Sequence, residues 1–290
     1  MAEYQIITDS TTDLSSEMIN ELGIHVIPLC YIMEGKTLHN IPGGGEMNEH
    51  TFYEKLRGGE TSTTAQINTE EFLQQFTPVL EEGKDILYLA FSSGLSGTCQ
   101  SAMIAKQELQ EKYSDRRIEV FDTLCASMGE GLLVYHAAML QKAGKDIDEV
   151  LAWLKENVLR LCHWFTVDDL NHLKRGGRVS AATALVGTML GIKPVLHVDD
   201  EGHLIAVSKV RGRKQSLDAL VKKMEETAIE PKEQTIFISH GDCLEDAQYV
   251  AEQVREKMGT VDIKINFIGP VIGAHSGPGT VALFFLGSRR

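Results

Sequence analysis

The chain is short of positive charge. Its 28 Lys and Arg against 41 Asp and Glu leave a formal charge of -13 over 290 residues. Nucleic acid and anionic membrane both attract proteins through a net or regional positive field, so neither is an expected partner. No apolar run reaches membrane-spanning length. The opening MAEYQIITDS has no basic stretch leading into an apolar one, so no secretory signal is read there. The five cysteines, Cys30, Cys99, Cys125, Cys162 and Cys243, form no CxxC pair and no Cys/His spacing suited to zinc. They read as small buried side chains, and the expected location is a reducing cytoplasm. Asp9, Asp13 and Asp122 stand at or just past strand ends, too scattered to argue for a metal; neither metal nor cofactor is expected. There is no Walker lysine, no GxGxxG after the first strand and no GxSxG elbow, since Gly94 and Gly97 flank Ser96 unequally. No histidine and acid are spaced to complete a triad around it.

What is present is the ordinary balance of a folded protein, 43% apolar and 24% charged residues. The length favours two domains, with a boundary expected near residue 160 (1–160 and 161–290). In the first, strand, loop and helix alternate: Tyr4 to Thr8, Ser16 to Leu22 with Gly23 as a stop, His25 to Met33, a helix near Asn48, and a helix capped by Asn68 and Glu71. Then come Asp85 to Phe91, Thr98 to Tyr113, Arg117 to Asp122, and a helix in which Gly129 and Gly131 suggest close backbone packing. This order predicts an α/β fold with a doubly wound, mainly parallel sheet, whose ligands sit at the carboxyl ends of strands. Past residue 160 the pattern changes. Leu204 to Val210 reads as the return strand of a hairpin, and a mixed sheet with flanking helices is expected.

Three hydroxyl- and glycine-rich segments stand out. Ser92 to Thr98 (SSGLSGT) lies between a strand and a helix, where hydroxyls, free backbone N–H groups and the helix dipole suit a carboxylate or a phosphate. A neutral cradle favours a singly charged head. Thr63 and Thr64 precede another helix, and GAHSGPGT (273–280) reads as a tight loop in which His275 offers a donor. Each segment alone is also compatible with a plain turn.

In combination, TDSTTDL (8–14), TTAQI (63–67), SSGLSGT (92–98), FDTLCASMGEG (121–131), LKRGGRVS (173–180), KVRGRKQ (209–215) and IGAHSGPGT (272–280) resemble the DegV family of bacterial fatty-acid-binding proteins. The resemblance spans nearly the whole chain. It implies two α/β domains enclosing one long-chain fatty acid, with the carboxylate at the hydroxyl loops and the acyl tail in an apolar tunnel. It further implies a non-enzymatic carrier, which in some members presents the carboxylate to a separate fatty acid kinase subunit for phosphorylation. By residue matching, Thr64 takes the family's TSQ-like threonine, although Ala65 replaces the common serine and Ile67 the common proline. Ser92, Ser93, Ser96 and Gly97 fall in the SSxLSGT loop, and His275 matches the late histidine.

Energetics agree with a lipid. Burying about fourteen methylenes at roughly 0.8 kcal/mol each supplies about 11 kcal/mol before ordering costs, while hydrogen bonds keep the desolvated carboxylate from cancelling that gain. The stretch Ala181 to Leu190, with Ile192, Val195 and Leu196, is expected to line the tunnel or to be ordinary core. Basic residues concentrate in two segments, Lys174, Arg175 and Arg178, then Lys209, Arg211, Arg213 and Lys214. Arg175, Arg178, Lys209, Arg211 and Lys214 are expected to dock the kinase or to stabilise a developing acyl phosphate, Arg211 foremost by its family match. An enzyme acting on a small phosphorylated or carbonyl substrate in the same cleft is the competing expectation, and a sensor that closes on a ligand is a third.

Overall fold

The computed structural model describes residues 3–179 and 191–290. A four-stranded parallel sheet has the order β2-β1-β6-β7, formed by β1 (Tyr4–Asp9), β2 (His25–Ile27), β6 (Asp85–Ala90) and β7 (Ile118–Asp122). All six residues of β6 are buried, as a central parallel strand covered on both faces requires. The period of two divides its side chains. Leu87 and Leu89 face a core shared with α5 (Met128–Lys142) and α6 (Ile147–Asn157), and Ile86, Tyr88 and Ala90 face α3 (Thr69–Glu81) and α4 (Thr98–Lys112). The Asn68/Glu71 capping box starts α3, and Ser15 and Gly23 bound α1 (Ser16–Leu22).

The second sheet is mixed and six-stranded, with the order β10-β9-β8-β13-β11-β12. Its strands are β8 (Leu161–Thr166), β9 (Ile192–Val198), β10 (Leu204–Arg211), β11 (Ile236–His240), β12 (Ile263–Phe267) and β13 (Val281–Leu286). The β9–β10 hairpin is antiparallel, and β11–β12 is the parallel pair. One face packs under α8 (Arg213–Thr227) and α9 (Leu244–Met258) through Cys162, Trp164, Leu283 and Phe285. The other turns Phe165 and Phe284 into the core that holds α5. Helix α5 thus lies between the sheets, and its glycines explain how closely. A Cβ on Gly131 would come within 2.7 Å of the Thr12 carbonyl oxygen, and one on Gly129 would overlap the His163 ring at Nε2.

Three elements differ from expectation. The stretch from His25 to Met33 divides into β2 and β3 (Cys30–Met33), because Pro28 has no N–H to continue a ladder. Strand β3 instead joins a small antiparallel sheet, β4-β3-β5, with β4 (Lys36–His39) and β5 (Ser62–Ala65). The TTAQI segment, read as a hydroxyl loop, is therefore in part an edge strand, a setting that suits β-branched threonine. The segment before Gly277, read as a loop, is a short helix, α10 (Pro270–Ser276). Pro270 sits at its first turn, where a missing N–H costs nothing. Gly277 ends it at φ 77 and ψ 173, a conformation open to glycine. Although α10 comes late in the chain, its Val271 and Ala274 pack into the core built by β3, α2 (Glu49–Arg57) and the outer face of the first sheet.

Of the expected tunnel residues, 181–190 lie outside the described residues. Val195 packs in the α8–α9 core and Leu196 in the core around α5.

Candidate functional site

The anchor of α10 sets the site. Gly269 N–H donates to the Asp13 carboxylate at 2.9 Å, and Tyr53 Oη donates to the Ile268 carbonyl at 2.8 Å. Asp13 also accepts from the Ser127 hydroxyl, which is 2.9 Å from Ser239 Oγ. The motif TDSTTD thus acts as a buried fastener. Asp9 takes Thr11 N–H at 3.0 Å and Tyr88 Oη at 2.8 Å, and Thr11 and Thr8 donate to Glu130 at 2.8 and 3.2 Å. Burial raises the pKa values of Asp9 and Glu130, and pushes Asp13 up to about 8. Asp122, the third sequence carboxylate, accepts from the Ser93 and Leu124 amides.

Held this way, α10 brings His275 to β5, where His275 Nε2 and Thr64 Oγ1 are 2.8 Å apart. Burial first, then the positive charge of Arg178, lowers the His275 pKa from 6.5 to about 4, so the ring is neutral near pH 7. With its proton on Nε2, the imidazole donates to Thr64, and the threonine proton is left to point at an anion. The opposite tautomer would consume that proton and present lone pairs. Behind the ring, Gly176 leaves no room: at an ordinary φ, a Cβ there would overlap His275 Nδ1. Gly176→Ala is expected to push the ring off Thr64. The His275 imidazole ¹⁵N shifts check this, with the urea midpoint separating it from unfolding.

Thr64 and His275 form a wall between two cavities. The inner one, about 220 Å³, is lined by apolar side chains that include Phe91, Leu95, Phe165, Leu173, Leu204 and Phe284. The outer one, about 360 Å³, is more polar, with Thr61, Ser62, Thr63, His172 and Arg175 around it. Arg178 also faces both, its Nε donating to the Leu95 carbonyl at 3.2 Å. The residues shared by the two cavities are thus a hydroxyl, an imidazole and a guanidinium.

The other sequence candidates separate. Ser96 and Gly97 line the inner cavity. Gly97 is the N-cap residue of α4 and provides no side-chain cap, and a Cβ on it would overlap the Gln66 amide. Its closeness brings the positive end of α4 to the cavity. Ser96 Oγ accepts from Thr98 N–H at 3.2 Å and lies 2.9 Å from Thr98 Oγ1. Ser92 turns its hydroxyl to the Gly202 carbonyl at 2.9 Å, while Ser93 is exposed; neither lines the cavity. Thr63 is exposed on the outer side. The basic set divides likewise. Arg175 and Arg178 belong to the cavities, whereas Lys209 and Arg211 on β10 and Lys214 on α8 are exposed and line neither. Sequence reasoning missed His163, Ser127 and Gln66, all in the inner lining. Gln66 and Ser127 lie inside the motifs TTAQI and FDTLCASMGEG, and the signal for His163 was a lone imidazole in the apolar run LCHWFTV.

Two sheets enclosing an apolar cavity, closed at one end by hydroxyl, imidazole and guanidinium groups, define a class of α/β protein built around an amphipathic ligand space. The chain belongs to the DegV family, whose model, described as an uncharacterised protein family, matches residues 3–288. It is 48% identical over 291 residues to a DegV domain-containing protein of Clostridium perfringens, covering 100% of this chain and 99% of the relative. Among solved structures, it is similar to a DegV lipid binding protein from Thermotoga maritima, with TM-score 0.87, 31% identity and 99% of each chain covered. A DegV family protein from Thermus thermophilus, described as binding fatty acid, matches with TM-score 0.87 and 30% identity over 99% of this chain and 100% of its own. Among the described residues, no helix is long and apolar enough to cross a membrane.

Proposed function

We propose that the protein binds one long-chain fatty acid as a non-enzymatic carrier, between domains formed by residues 1–160 and 161–290. The observation that carries this reading is the Thr64–His275 pair at one end of a mainly apolar cavity. The carboxylate accepts from Thr64 and is drawn by Arg178 and the N-terminus of α4, and the tail lies among Phe91, Phe165 and Phe284. The similarity to the Thermotoga and Thermus proteins supports the same ligand class. Native mass spectrometry of protein purified without added lipid, followed by organic extraction, is expected to yield a bound fatty acid. Finding none, together with no binding of added hexadecanoic acid, would overturn the reading.

The carrier further presents its carboxylate to a separate fatty acid kinase subunit, which supplies the phosphoryl group and makes the acyl phosphate. The outer cavity supports this reading, because it reaches the same three head-group residues from a basic, hydroxyl-lined side. Exposed Arg175, Lys209, Arg211 and Lys214 then serve docking. Arg211→Ala is expected to lower kinase-dependent acyl phosphate formation at least tenfold and to flatten its salt dependence, with fatty-acid affinity unchanged. Unchanged turnover would remove Arg211 from the docking surface.

A further inference from the structure

The inner cavity contains a polar group that a saturated acyl tail leaves unsatisfied. His163 on β8 lines it and is 1% exposed, and neither ring nitrogen has a hydrogen-bond partner among the described residues. The ring is wedged where Gly129 leaves space for it, edge-on to Phe284 with centroids 5.5 Å apart. Burial, with the charge of Arg290 next, lowers its pKa well below 6.5, so the imidazole is neutral and carries one N–H and one lone pair. The Ser276 hydroxyl, in the same lining and 6% exposed, is also without a partner among the described residues. A buried polar group without a hydrogen bond is costly, and native proteins rarely leave one so. A phenylalanine or leucine would suit a hydrocarbon tail better.

We propose that the cavity is built for an oxygenated acyl chain, a monohydroxy fatty acid whose in-chain hydroxyl meets His163. This rests on the fatty-acid reading above and narrows its ligand class. One hydroxyl meets one ring nitrogen, and because it both donates and accepts it can pair with that nitrogen in either tautomer, whereas a ketone can only accept from an N–H. The carboxylate end is held at Thr64 and His275, so only a hydroxyl at one stretch of the chain reaches His163. Position along the chain therefore matters.

The test is calorimetric titration of the wild-type protein with octadecanoic acid and a positional series of monohydroxyoctadecanoic acids, repeated with His163→Leu. At least one isomer is expected to bind the wild type about tenfold more tightly than octadecanoic acid, as one buried hydrogen bond supplies. His163→Leu is expected to bind octadecanoic acid as well as the wild type or better, and to lose the preference. If octadecanoic acid binds and no isomer binds more tightly, the inference fails while the fatty-acid reading stands. A preference that persists in His163→Leu overturns the role of His163. Binding of none of the acids overturns both. Should His163→Leu not fold, long-range ¹H–¹⁵N spectra of the wild-type imidazole decide. The preferred isomer is expected to shift the His163 nitrogens where octadecanoic acid does not, and equal spectra overturn the proposal.

Discussion

Thr64→Val is expected to raise the dissociation constant for hexadecanoic acid about thirtyfold, the loss of a hydrogen bond to a charged group worth ~2 kcal/mol. Valine keeps the β-branched shape that suits edge strand β5, so the fold is preserved, but His275 Nε2 loses its 2.8 Å partner and the carboxylate loses its donor. Thr64→Ser restores the hydroxyl and is expected to recover most of the affinity. Ser96→Ala, at the helix end in the lining, is expected to act in the same direction with a smaller effect. Ser93→Ala should change affinity least, since that side chain is exposed and outside the cavity. Calorimetric titration of the four variants checks the order, and a Thr64→Val protein that binds as tightly as the wild type would reject this head-group assignment.

The second large effect lies in the fastener behind the site. Asp13 is buried, and burial outweighs its hydrogen bonds from Ser127 and Gly269, with Glu49 and Asp9 adding like charge, so its pKa rises from 3.8 to about 8. The unfolded chain releases this proton near pH 4, while the folded protein keeps it until about pH 8. Between those values the folded state binds more protons, so this group's contribution to stability falls as pH rises, and the loss is complete above about pH 8.

The Asp13→Asn variant carries no such proton. Its amide oxygen still accepts from Gly269 N–H, and its amide nitrogen donates to the Ser127 hydroxyl, whose own proton passes to Ser239. Asp13→Asn is therefore expected to be close to wild type in stability near pH 5 and more stable by on the order of a few kcal/mol at pH 9. Asp13→Leu, which strands the Gly269 N–H and leaves the Ser127 hydroxyl to Ser239 alone, is expected to be less stable than the wild type at both. Urea unfolding of the three proteins across pH 5–9 checks this; parallel pH curves for wild type and Asp13→Asn would show that Asp13 does not hold its proton in the folded state.

Much of the architecture was legible along the chain. Ser15 and Gly23 bound α1, and the Asn68/Glu71 box opens α3, because helix ends leave N–H and C=O groups that nearby residues must satisfy. The continuous apolar run from Asp85 announced a strand covered on both faces, and Leu204 to Val210, as a return strand, announced the β9–β10 hairpin. These are local signals, and they were sufficient for the alternation of elements, the parallel first sheet, the mixed second one and the family resemblance.

What the order of residues did not carry was which side chains meet. Thr64 and His275 are separated by 211 positions, and their contact depends on α10 leaving the second sheet to pack against β3 and α2. The spacing of neither motif records that route. The serine loop shows the same limit: four of its residues looked equivalent as letters, yet the backbone turns Ser92 toward Gly202, leaves Ser93 exposed and aims Ser96 and Gly97 inward. Local capping and apolar periodicity act within a few residues, so the sequence alone determined most of the elements and the fold class. The stacking of two sheets across α5 acts between residues far apart in the chain, and only that tertiary arrangement decided that a threonine, a histidine and an arginine share one wall and that a buried imidazole waits deeper in the cavity.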